Sequence, residues 1–214
     1  MAKYERYQDY VIRDGKFIGE FEDMYRDFDD PWEQSTREQG LSYKTVVLSL
    51  LKKYKFKRIL EIGCGFGYFS KEIHDLGIDT LGVDISETAV KKASALFPEC
   101  NFTCGDVLDF AIYEKFKPDC IIFSEVTWYI LDKLQHFLKY YKNQLKETYL
   151  IHLLAMYAKG VQKYGIEYFS ELGSPGRGGV LSYFDLDYEE YGEIHYKELG
   201  FNSRTYFLGR PKSI

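Results

Sequence analysis

Cysteine is scarce in this chain. Its 214 residues include four, Cys64, Cys100, Cys104 and Cys120, too few for a disulfide scaffold and unaccompanied by the second His or Cys pair of a structural zinc site. They read as buried free thiols. Long apolar runs are missing as well: none approaches the roughly 18 residues that cross a bilayer, and the opening Met1-Ala2-Lys3-Tyr4-Glu5-Arg6 has no signal-peptide core. The expectation is a cytoplasmic protein with no membrane partner. Nor is positive charge in excess. With 28 Lys+Arg against 33 Asp+Glu, a formal net charge of −5, the surface is ill suited to neutralising a phosphate backbone, so no nucleic-acid partner is expected. Repeats, low-complexity tracts and linkers are absent too. A chain of 214 residues buries one substantial core rather than two, which predicts a single domain over residues 1–214.

Aromatics are plentiful. They make up 18% of the chain, with Tyr alone at 20 residues, more than a core of this size requires, so some are expected to line a pocket for an organic ligand. Residues 1–40 hold Tyr4, Tyr7, Tyr10, Phe17, Phe21, Tyr25, Phe28 and Trp32 among acids, with weak periodicity; we expect this stretch to form a lid. Over residues 41–155 amphipathic helices alternate with short apolar runs, the pattern of an α/β sheet covered on both faces. Val47, Leu50, Leu51 and Tyr54 share a helical stripe, Arg58 to Ile62 is a buried strand, and Phe69, Ile73 and Leu76 lie on a helix closed by Gly77. A strand at Asp79 to Val83 precedes a helix capped by Ser86 and ended by Pro98. Further strands are expected at Asn101 to Cys104, Asp119 to Phe123 and Thr148 to Ala155. Before the last comes a helix with Leu134, Phe137, Leu138, Tyr141 and Leu145 on one face, started by a capping box of Asp132 and Gln135. Within residues 156–214, Gly173 to Gly179 and the Tyr-rich acidic stretch after it read as loop. The end reads as a hairpin of Glu193 to Leu199 and Arg204 to Leu208, or as a helix capped by Gly200 followed by one strand.

The chemistry is concentrated at Ile59-Leu60-Glu61-Ile62-Gly63-Cys64-Gly65-Phe66-Gly67-Tyr68-Phe69, an apolar strand that passes through three glycines into a helix. Glycine permits positive φ and lets a ligand approach the main chain. Asp84 ends the next apolar strand, where a carboxylate can accept both hydroxyls of a ribose. A dinucleotide fold is the rival reading, but its third glycine falls one place later than Gly67, and Glu61 puts negative charge where a pyrophosphate would sit. That acid suits a cationic ligand.

The ordered set Glu61-x-Gly63-x-Gly65-x-Gly67, Asp84, Gly105-Asp106-Val107 and Ser124-Glu125-Val126 resembles class I S-adenosylmethionine-dependent methyltransferases over about Trp32 to Ala155. The resemblance implies a Rossmann-like, seven-stranded, mostly parallel sheet with helices on both faces and one antiparallel strand near the end. Asp30-Pro31-Trp32 with Glu38, and Phe123 to Leu131, are similar to the nodulation N-methyltransferases of sugar amines. It further implies that Gly63, Gly65 and Gly67 cradle the donor's main-chain-facing end and that Glu61 organises the loop and the methionine amino group. Asp84 would hold the ribose, Ile85 the adenine face, and Asp106 with Val107 the adenine edge. Trp32 and Tyr43 would line the lid.

The acceptor side is expected around Ser124, Glu125 and Tyr129 after the fourth strand, with His152 in the fifth. Methyl transfer to nitrogen or oxygen is an in-line displacement on a sulfonium, which requires alignment, exclusion of water and removal of a proton. Glu125 is the first candidate for that proton or for acceptor orientation, with Tyr129 and His152 beside it as catalytic candidates; no metal is called for. The basic run Lys52, Lys53, Lys55, Lys57 and Arg58 reads as the solvated end of a helix, and Arg177 as part of a surface loop. An Asn/Asp-Pro-Pro-aromatic motif is absent, which takes weight from adenine and glutamine-amide acceptors. The expected activity is methylation of a small acceptor such as a sugar or biosynthetic metabolite, and the alternative is an inactive donor-binding regulatory or scaffold protein.

Overall fold

A computed structural model describes residues 2–37, 42–157, 164–165, 177–195 and 201–213. Glu38, Gly173 to Gly176 and Gly200 fall outside them. The chain divides into two compact units, Met1–Pro118 and Asp119–Ile214.

The first unit opens with α1 (Gln8–Val11), the short ribbon β1 (Ile12–Arg13) and β2 (Lys16–Phe17), α2 (Phe21–Asp27) and α3 (Gln34–Arg37). Then α4 (Ser42–Tyr54), β3 (Arg58–Ile62), α5 (Tyr68–His74), β4 (Asp79–Asp84), α6 (Glu87–Leu96), β5 (Asn101–Cys104) and α7 (Phe110–Phe116) follow in the expected alternation. Strand β4 pairs in parallel with both β3 and β5. The anticipated α4 stripe is real: Val47, Leu50 and Leu51 are buried, as are Ile59, Leu60 and Ile62 of β3 and Phe69 and Ile73 of α5. Ser86 caps α6 by accepting the Ala89 N–H, and the helix stops before Pro98.

The second unit holds β6 (Cys120–Ser124), a 3-10 turn at Thr127–Tyr129, α8 (Leu131–Gln144), β7 (Tyr149–Tyr157), α9 (Arg177–Phe184), β8 (Asp187–His195) and β9 (Phe201–Arg210). Strand β6 is parallel to β7, and β9 is antiparallel to both β7 and β8. The seven strands follow the order β5-β4-β3-β6-β7-β9-β8, the mostly parallel arrangement with one reversed strand that was expected.

Three local expectations need correction. Helix α8 starts at Leu131 with Ile130 at the cap and no side-chain cap bond, so Asp132 lies in the first turn, where its charge meets the helix dipole. The glycine-rich stretch becomes helical from Arg177 despite Gly178 and Gly179; Val180 and Phe184, four apart on one face, are buried and offset the cost of glycine in a helix. The Tyr-rich acidic stretch is strand β8, whose residues alternate regularly between exposed and half-buried. Its acids sit mainly on the open face. The antiparallel pairing of the hairpin reading is present in β8 and β9, but β8 already begins at Asp187, Phe201 to Ser203 belong to β9 rather than to a turn, and residues 196–200 lie outside the described ones.

Candidate functional site

Strand β3 delivers the chain into a turn that only glycine adopts comfortably. Gly63, Gly65 and Gly67 have φ of +77°, +55° and +78°, in the left-handed region where a Cβ is penalised. The N–H groups of Gly63 and Cys64 both donate to the Val83 carbonyl, at 2.8 and 3.0 Å, which ties the turn to the end of β4. Gly67 has a second reason to be glycine, since a Cβ there would lie 2.5 Å from the Phe102 ring. Below the turn, Glu61 is buried and accepts the Ser70 hydroxyl of α5.

Asp84 is the electrostatic centre of this unit. Its carboxylate accepts the Gly65 N–H at 2.8 Å and the Ser86 N–H at 3.0 Å. Burial nevertheless pushes its pKa up to about 6, because the loss of water outweighs those backbone bonds. Next to it Ile85 is 48% exposed, an apolar side chain left open beside a buried acid. From the neighbouring strand end, Gly105 donates to the Asp84 carbonyl at 2.9 Å. Asp106 is half-buried and uses one oxygen to accept the Leu108 N–H at 3.0 Å. Val107 is buried, and its carbonyl accepts the Tyr113 hydroxyl at 3.0 Å. A buried carboxylate, an open apolar face and a glycine turn thus occur together at adjacent strand ends, an arrangement an adenosine-type donor would fit.

The N-terminal segment contributes residues that the sequence reading missed. Glu22 accepts the Ser86 hydroxyl at 2.7 Å, the Thr88 N–H at 3.1 Å and the Thr88 hydroxyl at 2.5 Å. Burial opposes its charge, but those bonds outweigh it and hold the carboxyl below its ordinary pKa. Lys92 donates to the carbonyls of Tyr25, Phe28 and Asp29 at 3.3, 3.5 and 3.4 Å. Gln34 lies over the glycine turn, accepting the Phe66 N–H at 2.8 Å. Asp30, four residues earlier, caps it by accepting the Gln34 N–H at 2.8 Å; an Asp ahead of a short polar helix was the available signal, and Gln34 itself had none. Trp32 is half-buried with its ring edge-on to Tyr7 at 5.0 Å, while Tyr43 is buried on α4.

In the second unit Ser124 ends β6 half-buried, and Tyr129 is half-buried in the 3-10 turn. Glu125 adopts φ +61°, unusual for a side chain of its kind. Its carboxylate accepts the Ala155 N–H at 2.8 Å and Arg204 Nε at 2.5 Å. Each oxygen therefore accepts one hydrogen bond. His152 is fully buried, 2.8 Å from the Thr127 hydroxyl through Nε2 and stacked on Phe207 at 4.9 Å. Burial holds its pKa down to about 3, so it is a neutral core histidine and not one presented to a substrate. Among the described residues no cluster of metal-ligating side chains forms, and no helix is long and apolar enough to cross a membrane.

Residues 59–148 match the methyltransferase domain family. Over 88 residues, 40% of this chain, the sequence is 32% identical to phosphoethanolamine N-methyltransferase 1 of Zea mays, and over 90 residues it is 34% identical to the enzyme of that name from Triticum aestivum. The chain spans 17% and 18% of the length of these curated relatives. Among solved structures, a Pyrococcus horikoshii protein superimposes with a TM-score of 0.62 at 19% identity, covering 88% of this chain and 98% of its own. The N-methyltransferase NodS of Bradyrhizobium japonicum, in complex with S-adenosyl-L-homocysteine, gives 0.61 at 18% identity over 87% of this chain and 94% of its own. These structures share the fold.

Proposed function

We propose that the protein is an S-adenosylmethionine-dependent methyltransferase that methylates a nitrogen or oxygen of a small-molecule acceptor, a reading supported by the match of residues 59–148 to the methyltransferase domain family. The observation that carries the donor half is the Gly65–Asp84 bond at 2.8 Å with Ile85 open beside it. Asp84 retains lone pairs for the ribose hydroxyls, and Ile85 offers a face for the adenine ring. Asp106 and Val107 read the adenine edge. Gly63, Gly65, Gly67 and Glu61 serve the amino-acid end, Trp32 belongs to the covering segment, and Tyr43 is buried on α4. When bound, S-adenosylmethionine supplies a methyl group on a positively charged sulfur.

Ser124 and Tyr129 are proposed to orient the acceptor. Glu125 acts as a positioning residue that fixes the chain after β6, because Arg204 and the Ala155 N–H already hold its carboxylate. His152 is fully buried and its pKa is held down to about 3, so it does not serve as a base for the acceptor, and an amine that sheds its proton to solvent before attack suits the site better than a hydroxyl. The N-methyltransferase names of the partial curated relatives support the same preference. Calorimetry with S-adenosyl-L-homocysteine, followed by transfer of labelled methyl from the donor to a panel of small amines and alcohols, tests both halves. Absence of donor binding would sink the proposal. The pairing of Glu125 with Arg204 and the burial of His152 also favour a second reading, a donor-binding protein without turnover, and tight binding with no transfer to any acceptor would select it.

A further inference from the structure

We infer that Gln34 is a positioning residue of the donor site, holding the Cys64-Gly65-Phe66 turn and reading the donor's amino-acid end; this rests on the donor reading above. A carboxamide has two N–H groups and two carbonyl lone pairs. One lone pair takes the Phe66 N–H at 2.8 Å, and one N–H reaches the Cys64 carbonyl at 3.5 Å. One donor and one acceptor remain. That pair complements a zwitterionic α-amino acid group, whose carboxylate accepts and whose ammonium donates.

The fit against the turn is close. A Cβ on Gly65 would lie 2.5 Å from Gln34 Oε1 and 2.8 Å from Nε2, so the glycine admits the carboxamide as well as the positive φ. The Gly65 N–H is given to Asp84; the turn is therefore held by the ribose-side acid and by Gln34 together. Gln34 is placed in turn by Asp30, which accepts the N–H groups of Gln34 and Ser35, each at 2.8 Å, and the Ser35 hydroxyl at 2.6 Å. Lys92 fastens the carbonyls just before Asp30. Recognition of the donor's charged end is in this way coupled to the docking of the N-terminal segment.

The test compares S-adenosyl-L-homocysteine with 5′-methylthioadenosine, which keeps adenine, ribose and sulfur but lacks the amino-acid group. Both are titrated calorimetrically into wild type, Gln34→Ala and Gln34→Glu, with melting temperatures showing that the variants are folded. Gln34→Ala should weaken S-adenosyl-L-homocysteine about tenfold, the scale of a lost hydrogen-bond pair, and leave methylthioadenosine within about twofold. Gln34→Glu should weaken S-adenosyl-L-homocysteine further, since like charges then face each other. An unchanged affinity in Gln34→Ala, an equal loss for both ligands, or a Gln34→Glu variant as tight as wild type overturns the inference. Wild type that binds neither ligand overturns the donor reading beneath it.

Discussion

Asp84, the proposed ribose carboxylate, would couple donor binding to pH. Its folded pKa of about 6 lies above the ordinary 3.8, so between those values the folded state binds the extra proton. Acidification through that window favours folding by this group, and the penalty for its buried charge is fully present above about pH 6. Ribose binding needs the ionised form. Donor affinity should therefore fall as pH drops below about 6, a trend that calorimetry at several pH values checks, and Asp84→Ala should lower affinity roughly 10–100-fold at neutral pH. His152 has the opposite sign. Its pKa is depressed from 6.5 to about 3, so the unfolded chain takes up the proton first and stability falls as pH drops through that range, by about 1.4 kcal/mol per pH unit. In urea unfolding at pH 7 and pH 5, His152→Phe should lose stability overall through the orphaned Thr127 hydroxyl but show a flatter acid dependence than wild type. Glu125 is ion-paired with Arg204, whose side chain is 9% exposed, and we propose a structural role for it. Glu125→Gln should cost roughly 1–3 kcal/mol of stability while leaving donor affinity unchanged; stability equal to wild type with transfer abolished would return it to the role of base.

Among the elements, the N-terminal segment is fastened to α6 at two points, Glu22 on Ser86 and Thr88, and Lys92 on the carbonyls that end and follow α2. Glu22 supplements the Ser86 cap, so Glu22→Ala should destabilise the fold by about 1 kcal/mol, as cap losses do. Because Gln34 and Asp30 belong to the same segment, Glu22→Ala and Lys92→Ala should each also raise the rate at which bound donor escapes, measured by stopped-flow displacement. Unaltered release from the double variant would leave the segment a packing element and nothing more. Strand β8 makes a different point: its acids and tyrosines look like loop composition, yet alternate exposure is all a sheet edge requires.

The whole molecule carries its two tryptophans in different compact units, Trp32 in the first and Trp128 in the second. Trp128 is buried and donates its indole N–H to the Ala155 carbonyl at 2.9 Å, so its emission should report tightly on its own unit. In Trp32→Phe, which leaves Trp128 as the reporter, acidification from pH 7 to pH 5 should lower the unfolding midpoint because His152 lies in that unit. Trp128→Phe leaves Trp32 to report the unit of Asp84, where that acid's contribution runs the other way. Saturating S-adenosyl-L-homocysteine should raise the Trp32-reported transition, by about 2.7 kcal/mol at 100 times its Kd. Two reporters that move identically with pH and ligand would mean that the units unfold as one.

The sequence by itself determined most strands and helices between Arg58 and Ala155, though not α7 or the 3-10 turn at Thr127–Tyr129, because apolar runs, helical stripes, the Ser86 cap and the glycine turn are written in neighbouring residues. It also placed Asp84 at the end of a strand, while Ile85, Asp106 and Val107 were singled out by the family resemblance. What it did not hold is how side chains distant along the chain meet. Gln34 and Phe66 are 32 residues apart, Glu22 and Ser86 are 64 apart, and Glu125 and Arg204 are 79 apart, and each pair leaves no local pattern. Only the tertiary structure decided that Glu125 is engaged by an arginine, that His152 is stacked in a core, and that Gln34 lies on the glycine turn. Backbone conformation is set by short-range sterics and periodicity, whereas the charge state and availability of a side chain depend on burial and partners that folding alone brings together.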